Sequence, residues 1–144
     1  MDVVLDTNVA VSGAISPKGP PAEIIRSWRA QSFSWVTSDP LLEELERTFR
    51  SRRIRRYLAW SEDELSGFLT HLRRAARVVT PTERIDVMKA DPADNRVLEA
   101  AIAGGAEYIV TGDKALLSLE TCEGVPIITP VRFLAVLQSA LPQG

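Results

Sequence analysis

Residues Asp91 to Lys114 read DPADNRVLEAAIAGGAEYIVTGDK. Asp91 and Pro92 form a helix-start signal: an N-cap oxygen, then a residue whose missing N–H costs nothing at the first helical position. The spacing predicts a helix to about Ala103, ended by Gly104 and Gly105 in left-handed C-cap geometry. Tyr108-Ile109-Val110 follows as a short β-prone run, the pattern of a buried strand. On a wheel of about 100° per residue, Ala93, Val97, Leu98, Ala101 and Ile102 share one apolar face. Asp94 falls near the centre of that face, and Asn95 and Glu99 fall on the opposite side. A carboxylate on the inward face of a first turn is not a solvated charge. Burying it unpaired costs several kcal/mol, so it requires a cation, a donor or an altered pKa. Asp113 comes directly after the strand, where parallel sheets place their ligands, and the two acids are expected to meet.

Working outward, Val3-Val4-Leu5 is a continuous apolar run, as in strands covered on both faces. It ends in Asp6-Thr7-Asn8, so Asp6 repeats the strand-then-acid arrangement of Asp113. A short helix over Val9–Ile15, a helix over Pro21–Ala30 and a strand over Phe33–Val36 are predicted next. Ser38-Asp39-Pro40 opens another helix, with Asp39 as its expected cap and Leu41, Leu42, Leu45 and Phe49 as its buried stripe. Glu43, Glu44 and Glu46 accompany that stripe without occupying its centre, and the wheel does not choose among them. Ser61 and Glu64 have capping-box spacing and open a helix to about Arg74. A strand at Arg77–Val79, a polar loop over Thr80–Ala90, a helical turn after Asp113, a strand at Val125–Thr129 and a helix from Pro130 complete the alternation. Strands alternating with amphipathic helices predict an α/β sandwich, helix-sheet-helix in three layers, around a mainly parallel sheet.

The 144 residues predict one domain, 1–144, with 45% hydrophobic and 25% charged residues, ordinary globular values. No apolar run is long enough to span a bilayer and the amino terminus lacks signal-peptide character, so a cytoplasmic protein with no membrane partner is expected. A single cysteine, Cys122, excludes an intrachain disulfide or thiolate cluster, and a single histidine, His71, leaves little room for Ser-His-Asp or Cys-His catalysis. His71 lies on the polar side of its predicted helix and reads as a surface residue.

Asp6 and Asp113 at strand ends, Asp94 in a first turn and one glutamate of the 39–50 helix form an all-oxygen, negative set. Such a set suits Mg²⁺ or Mn²⁺, and the implied chemistry is phosphoester hydrolysis. Any one acid alone reads rather as a helix cap, as Asp91 and Asp39 do, and Asp113 is placed to cap the following turn. Their convergence at strand ends carries the functional reading.

Four segments in register, Asp6-Thr7-Asn8, Ser38 to Glu46 (SDPLLEELE), Asp91 to Asn95 (DPADN) and Thr111-Gly112-Asp113, resemble the PIN-domain family. They are most similar to its branch of type II toxin–antitoxin toxins related to VapC. The resemblance covers nearly the whole chain and implies a PIN-like fold with a mainly parallel sheet of about five strands. It implies Mg²⁺- or Mn²⁺-dependent hydrolysis of RNA, leaving a 5′-phosphate and a 3′-hydroxyl. By motif position it implies Asp6, Glu44, Asp94 and Asp113 as catalytic and metal-binding residues, with Asn8 and Thr111 in support. Glu44 is selected over Glu43 and Glu46 by the resemblance alone. An RNA substrate, a cognate antitoxin and a homodimer are the partners it implies.

The net charge of −2 does not advertise a nucleic-acid binder, but Arg47 to Arg56 is locally basic. Arg52, Arg53, Arg55 and Arg56 are candidates for RNA phosphates; the competing reading is a solvated face paired with Glu43 and Glu46. Trp28, Trp35 and Trp60 read as packing residues rather than base-stacking ones. Two rivals remain: a phosphotransferase with a phosphorylated strand-end aspartate, disfavoured by Thr7 and Asn8 where a second acid is needed, and a catalytically silent PIN-like module that binds RNA or an antitoxin.

Overall fold

Six strands and eight helices alternate along residues 1–140, the part of the chain that the computed structural model describes. Residues 141–144 of the expected 1–144 domain lie outside the described residues. In order the elements are β1 (Asp2–Leu5), α1 (Thr7–Ile15), α2 (Pro20–Arg29), β2 (Ser34–Ser38), α3 (Asp39–Phe49), α4 (Arg52–Arg55) and α5 (Glu62–Ala75). Then come β3 (Arg77–Val79), α6 (Asp94–Gly104), β4 (Tyr108–Val110), α7 (Lys114–Ser118), β5 (Thr121–Cys122), β6 (Val125–Ile128) and α8 (Pro130–Ala140). The sheet order is β3-β2-β1-β4-β6-β5, parallel except for the β5–β6 pair. The sheet therefore has six strands rather than about five. β5 is too short to leave a periodic signal, and its turn, with positive φ at Glu123 and Gly124, matches the backbone twist of a two-residue hairpin.

Alternation along the strands divides the core. Val3 and Leu5 face a cluster built by α1, α2, α5 and α8, whereas Val4, Val36, Ile109 and Ile127 face α6 and α7. β1 lies at the centre, with Leu5 opposite Val110 of β4, so the residues just past these two strands, Asp6 and Thr111, emerge side by side. Asp39 is the first residue of α3 rather than its cap; Ser38 holds the cap position.

The wheel of α6 needs two corrections. The helix begins at Asp94, after a turn in which Asp91 Oδ1 accepts from Ala93 N (3.2 Å) and Asp91 O from Asp94 N (3.0 Å). Asn95 and Glu99, on the side opposite the apolar face, are not solvated but 1% and 6% exposed. Residues 83–88 cross over them as a strap. Asn95 Oδ1 accepts from Val87 N (3.0 Å) and Met88 N (2.9 Å), and its Nδ2 donates to Met88 O (3.1 Å) and Pro92 O (3.0 Å). Glu99 Oε2 accepts from Ile85 N at 2.9 Å. A polar helix face thus becomes interior by pairing with backbone groups that would otherwise be unsatisfied.

At the other end of α6, Gly105 is left-handed (φ 59°) and Ala106 N donates back to Ala101 O (2.9 Å), a Schellman ending. Gly104 has a different constraint, since a Cβ there would lie 2.5 Å from Val36 Cγ1. Alanine ordinarily gains about 1 kcal/mol over glycine in a helix, but overpacking costs roughly 1–3 kcal/mol, and the clash is the larger effect. Gly104→Ala is expected to lower stability by about 1–2 kcal/mol in urea unfolding, and adding Val36→Ala should make the second substitution cost less than it does in the parent. A stabilised Gly104→Ala would contradict this packing.

Candidate metal centre

One carboxylate oxygen from each of Asp6, Asp94 and Asp113 lies within 4.8 Å of the others. Asp6 continues β1 in extended geometry at the N-cap position of α1. Its backbone oxygen accepts from Val9 N (3.0 Å) while its side chain makes no cap bond, which leaves the carboxylate for the site. Thr111, fully buried, donates from Oγ1 to Asp6 Oδ2 (2.7 Å) and accepts from Asp113 N (3.0 Å). One hydroxyl thereby fixes both strand-end acids. Asp113 does cap α7: its Oδ1 accepts from Ala115 N (2.7 Å) and Leu116 N (3.4 Å). The cap uses only one of its oxygens, so the structural and the site roles coexist.

Asp94 approaches from α6 and is 7% exposed; its Oδ2 is buried with no hydrogen-bond partner. Burial first, then the adjacent Asp113 carboxylate, then the charges of Asp6 and Asp91 push its pKa up to about 8. Burial also raises the pKa of Asp6, opposed by the Thr111 hydrogen bond and reinforced by Glu44 and Asp113. A buried carboxylate oxygen with no donor, inside an all-oxygen set whose charges destabilise one another, is what a hard divalent cation relieves. The residues fit such an ion.

Glu44 stands on the wall of the same cleft, outside the three-oxygen cluster, and Thr7 Oγ1 donates to its Oε2 at 3.0 Å. Asn8 is on the wall too, exposed. Thr7 and Asp91, read in the sequence as a motif filler and a cap, also line the cleft. The placement of Thr7 between Asp6 and Asn8 in the motif was its only signal. Of the four candidate arginines, Arg53 lines the cleft, whereas Arg55 pairs with Glu62 (2.7 Å) and Arg52 and Arg56 are exposed on or beside the short α4. The expected pairing of the basic segment with Glu43 and Glu46 is replaced by Arg50 and Arg55 on Glu62 of α5, which hold that carboxyl down to about 2. Trp28 and Trp35 are buried edge to face (centroids 5.2 Å apart), and Trp60 stacks on Phe49. His71 is exposed, against the Trp28 ring and away from the acids.

A mainly parallel α/β sandwich that gathers three carboxylates beyond its strand ends defines a class of domain with an acidic, cation-ready centre. This chain belongs to the PIN-domain family: the family's model matches residues 2–115. The uncharacterized protein MJ1680 of Methanocaldococcus jannaschii is 32% identical over 117 residues, 81% of this chain and 74% of that one. Two solved structures share the fold. VapBC2 from Rickettsia felis, bound to a DNA fragment from its promoter, superposes with a TM-score of 0.55 at 17% identity, covering 90% of this chain and 98% of that chain. FitAcB from Neisseria gonorrhoeae does so with a TM-score of 0.51 at 14% identity, with the same coverage.

The raised pKa of Asp94 makes stability depend on pH with a definite sign. From an ordinary value of 3.8 to about 8 in the fold, the neutral form is the one the fold favours, so its contribution is complete below about pH 4 and lost as pH rises through about 8. In EDTA, melting temperature is expected to fall by roughly 8–16 °C between about pH 5 and about pH 8.5, from about 4 kcal/mol over about three pH units at about 2–4 °C per kcal/mol for a chain of this size. Asp94→Asn should flatten that slope, and an equal slope in both proteins would contradict the environment described for Asp94.

Proposed function

We propose that this chain is a Mg²⁺- or Mn²⁺-dependent ribonuclease and the toxin of a toxin–antitoxin pair. The observation that carries the reading is the convergence of one carboxylate oxygen each from Asp6, Asp94 and Asp113 within 4.8 Å, with Asp94 Oδ2 buried and unpartnered, in a chain of the PIN family. Asp6, Asp94 and Asp113 would hold the ion, and Glu44 would complete the acidic wall. When bound, a divalent ion supplies Lewis-acid charge for phosphoester hydrolysis. The remaining work belongs to the chain. Thr111 aims Asp6 and opposes the rise that burial imposes on its pKa, the α7 cap orients Asp113, and Thr7 holds Glu44 toward the cleft. The similarity of the motifs to VapC-related toxins supports RNA as substrate, with a cognate antitoxin and a second copy of the chain as partners in the cytoplasm. No helix among the described residues is long and apolar enough to cross a membrane.

Saturating Mn²⁺ or Mg²⁺, at about 100 times Kd, should stabilise the fold by about 2.7 kcal/mol, a rise of roughly 5–10 °C in melting temperature. Asp94→Asn should lose most of that rise. Asp6→Asn should stay folded by circular dichroism while metal-dependent cleavage of single-stranded RNA drops by about 10²-fold or more. Undiminished cleavage by Asp6→Asn would place the chemistry elsewhere.

A further inference from the structure

Glu44 is a wall common to two clefts. On one side is the acidic centre; on the other is a smaller cleft between the amino-terminal turns of α3 and α6, lined by Pro40, Glu43, Arg47, Pro92, Ala93 and Arg96. We propose that this second cleft, through Arg47 and Arg96, holds a backbone phosphate of a single-stranded polynucleotide next to the phosphate at the acids. The inference rests on the nuclease reading above and adds where the substrate chain runs.

Arg96 is built for such a contact. Its Nε lies 2.8 Å from Glu99 Oε1 and its Nη2 donates to Glu99 Oε2 at 3.0 Å, with the side chain 26% exposed. Glu99 is itself held by Ile85 N, so the guanidinium plane is fixed before any ligand arrives and Nη1 remains for it. A preorganised guanidinium loses little entropy on binding an oxyanion. Arg47 is exposed and forms no salt bridge among the described residues. The first turns of two eleven-residue helices add their positive dipole ends to the same cleft. Arg53 lines the acidic cleft. A chain crossing Glu44 would therefore meet a cation on each side of the acids, which is how a polyanion can approach a centre that repels it.

Glu43 is the opposing charge in this cleft, exposed on its wall. It gives the test a second sign. The probe is a fluorescent single-stranded RNA of about 12 nucleotides, titrated in Ca²⁺ at several salt concentrations, where each phosphate contact contributes a log–log slope of about 0.7. Arg47→Gln should weaken binding several-fold and reduce the slope by about 0.7. Arg96→Lys, which keeps a cation beside Glu99 but not the planar fork, should also weaken it, and Glu43→Gln should tighten it. Arg73→Gln and Arg74→Gln change net charge equally at the end of α5 that leads into the start of β3, the sheet edge opposite the acids, and should match the parent. Mn²⁺-induced stabilisation should persist in Arg47→Gln. If Arg96→Lys unfolds, the exposed Arg47→Gln decides alone. A parent that binds the RNA while Arg47→Gln keeps its affinity and slope would overturn the inference and leave the nuclease reading standing. A parent that neither binds nor cleaves RNA would overturn both.

Discussion

Three carboxylates forced together at one edge of a sheet repel each other and lose water, and the surrounding structure is organised to keep them there. The pairing of β1 with β4 sets Asp6 beside Thr111, and the Thr111 hydroxyl, bonded to Asp6 Oδ2 and Asp113 N, converts two separate strand ends into one rigid unit. Asp94 arrives from a helix whose apolar side packs on Val4, Val36 and Ile109. Neither arrangement is favourable for the acids themselves. Both are sustained by hydrophobic burial on the two faces of the sheet, which is insensitive to the charges at its edge.

α6 carries more than Asp94. Asn95, the next residue, has both donor and acceptor capacity spent on Val87, Met88 and Pro92, so the strap cannot shift without disturbing the turn that presents Asp94. One turn further, Glu99 joins the strap to Arg96. Acid, strap contact and the Arg96 side of the second cleft are therefore consecutive stations on a single helix that is buried on both sides. A helix clamped this way resists the rotation by which like charges would otherwise separate.

Much of this was legible in residues whose surroundings are local. Asp94 stood out because a 3.6-residue period put a charge among apolar neighbours, and Asp6 and Asp113 because an acid follows a short apolar run in each case. That Asn95 and Glu99 are buried could not be read from the wheel, for a physical reason. A wheel registers hydrophobic neighbours, but their cover is an irregular segment that offers backbone N–H groups, and a polar side chain facing that cover looks identical to one facing water. Glu44 could not be separated from Glu43 and Glu46 by period, because what distinguishes it is a hydrogen bond to Thr7, 37 residues away. The competing reading of the basic segment paired it with the nearby Glu43 and Glu46; Glu62 meets Arg50 and Arg55 instead because α5 folds back beside α4.

The acids are close in space but not equivalent, and the difference lies in their donors. Asp6 has a buried hydroxyl that favours its ionised form against the cost of burial, and Asp113 has two backbone N–H groups from its own cap. Asp94 has no such donor on Oδ2, and Asp91 serves the turn ahead of the helix, accepting from Ala93 N. Burial and the neighbouring charges therefore weigh most on Asp94, whose pKa is pushed up to about 8, while that of Asp6 is raised as well. A proton and a divalent cation are alternative answers to that concentration of charge, and they exclude each other at the same oxygen. The fold thus leaves Asp94 Oδ2 without a donor at the point where positive charge changes the stability of the centre most.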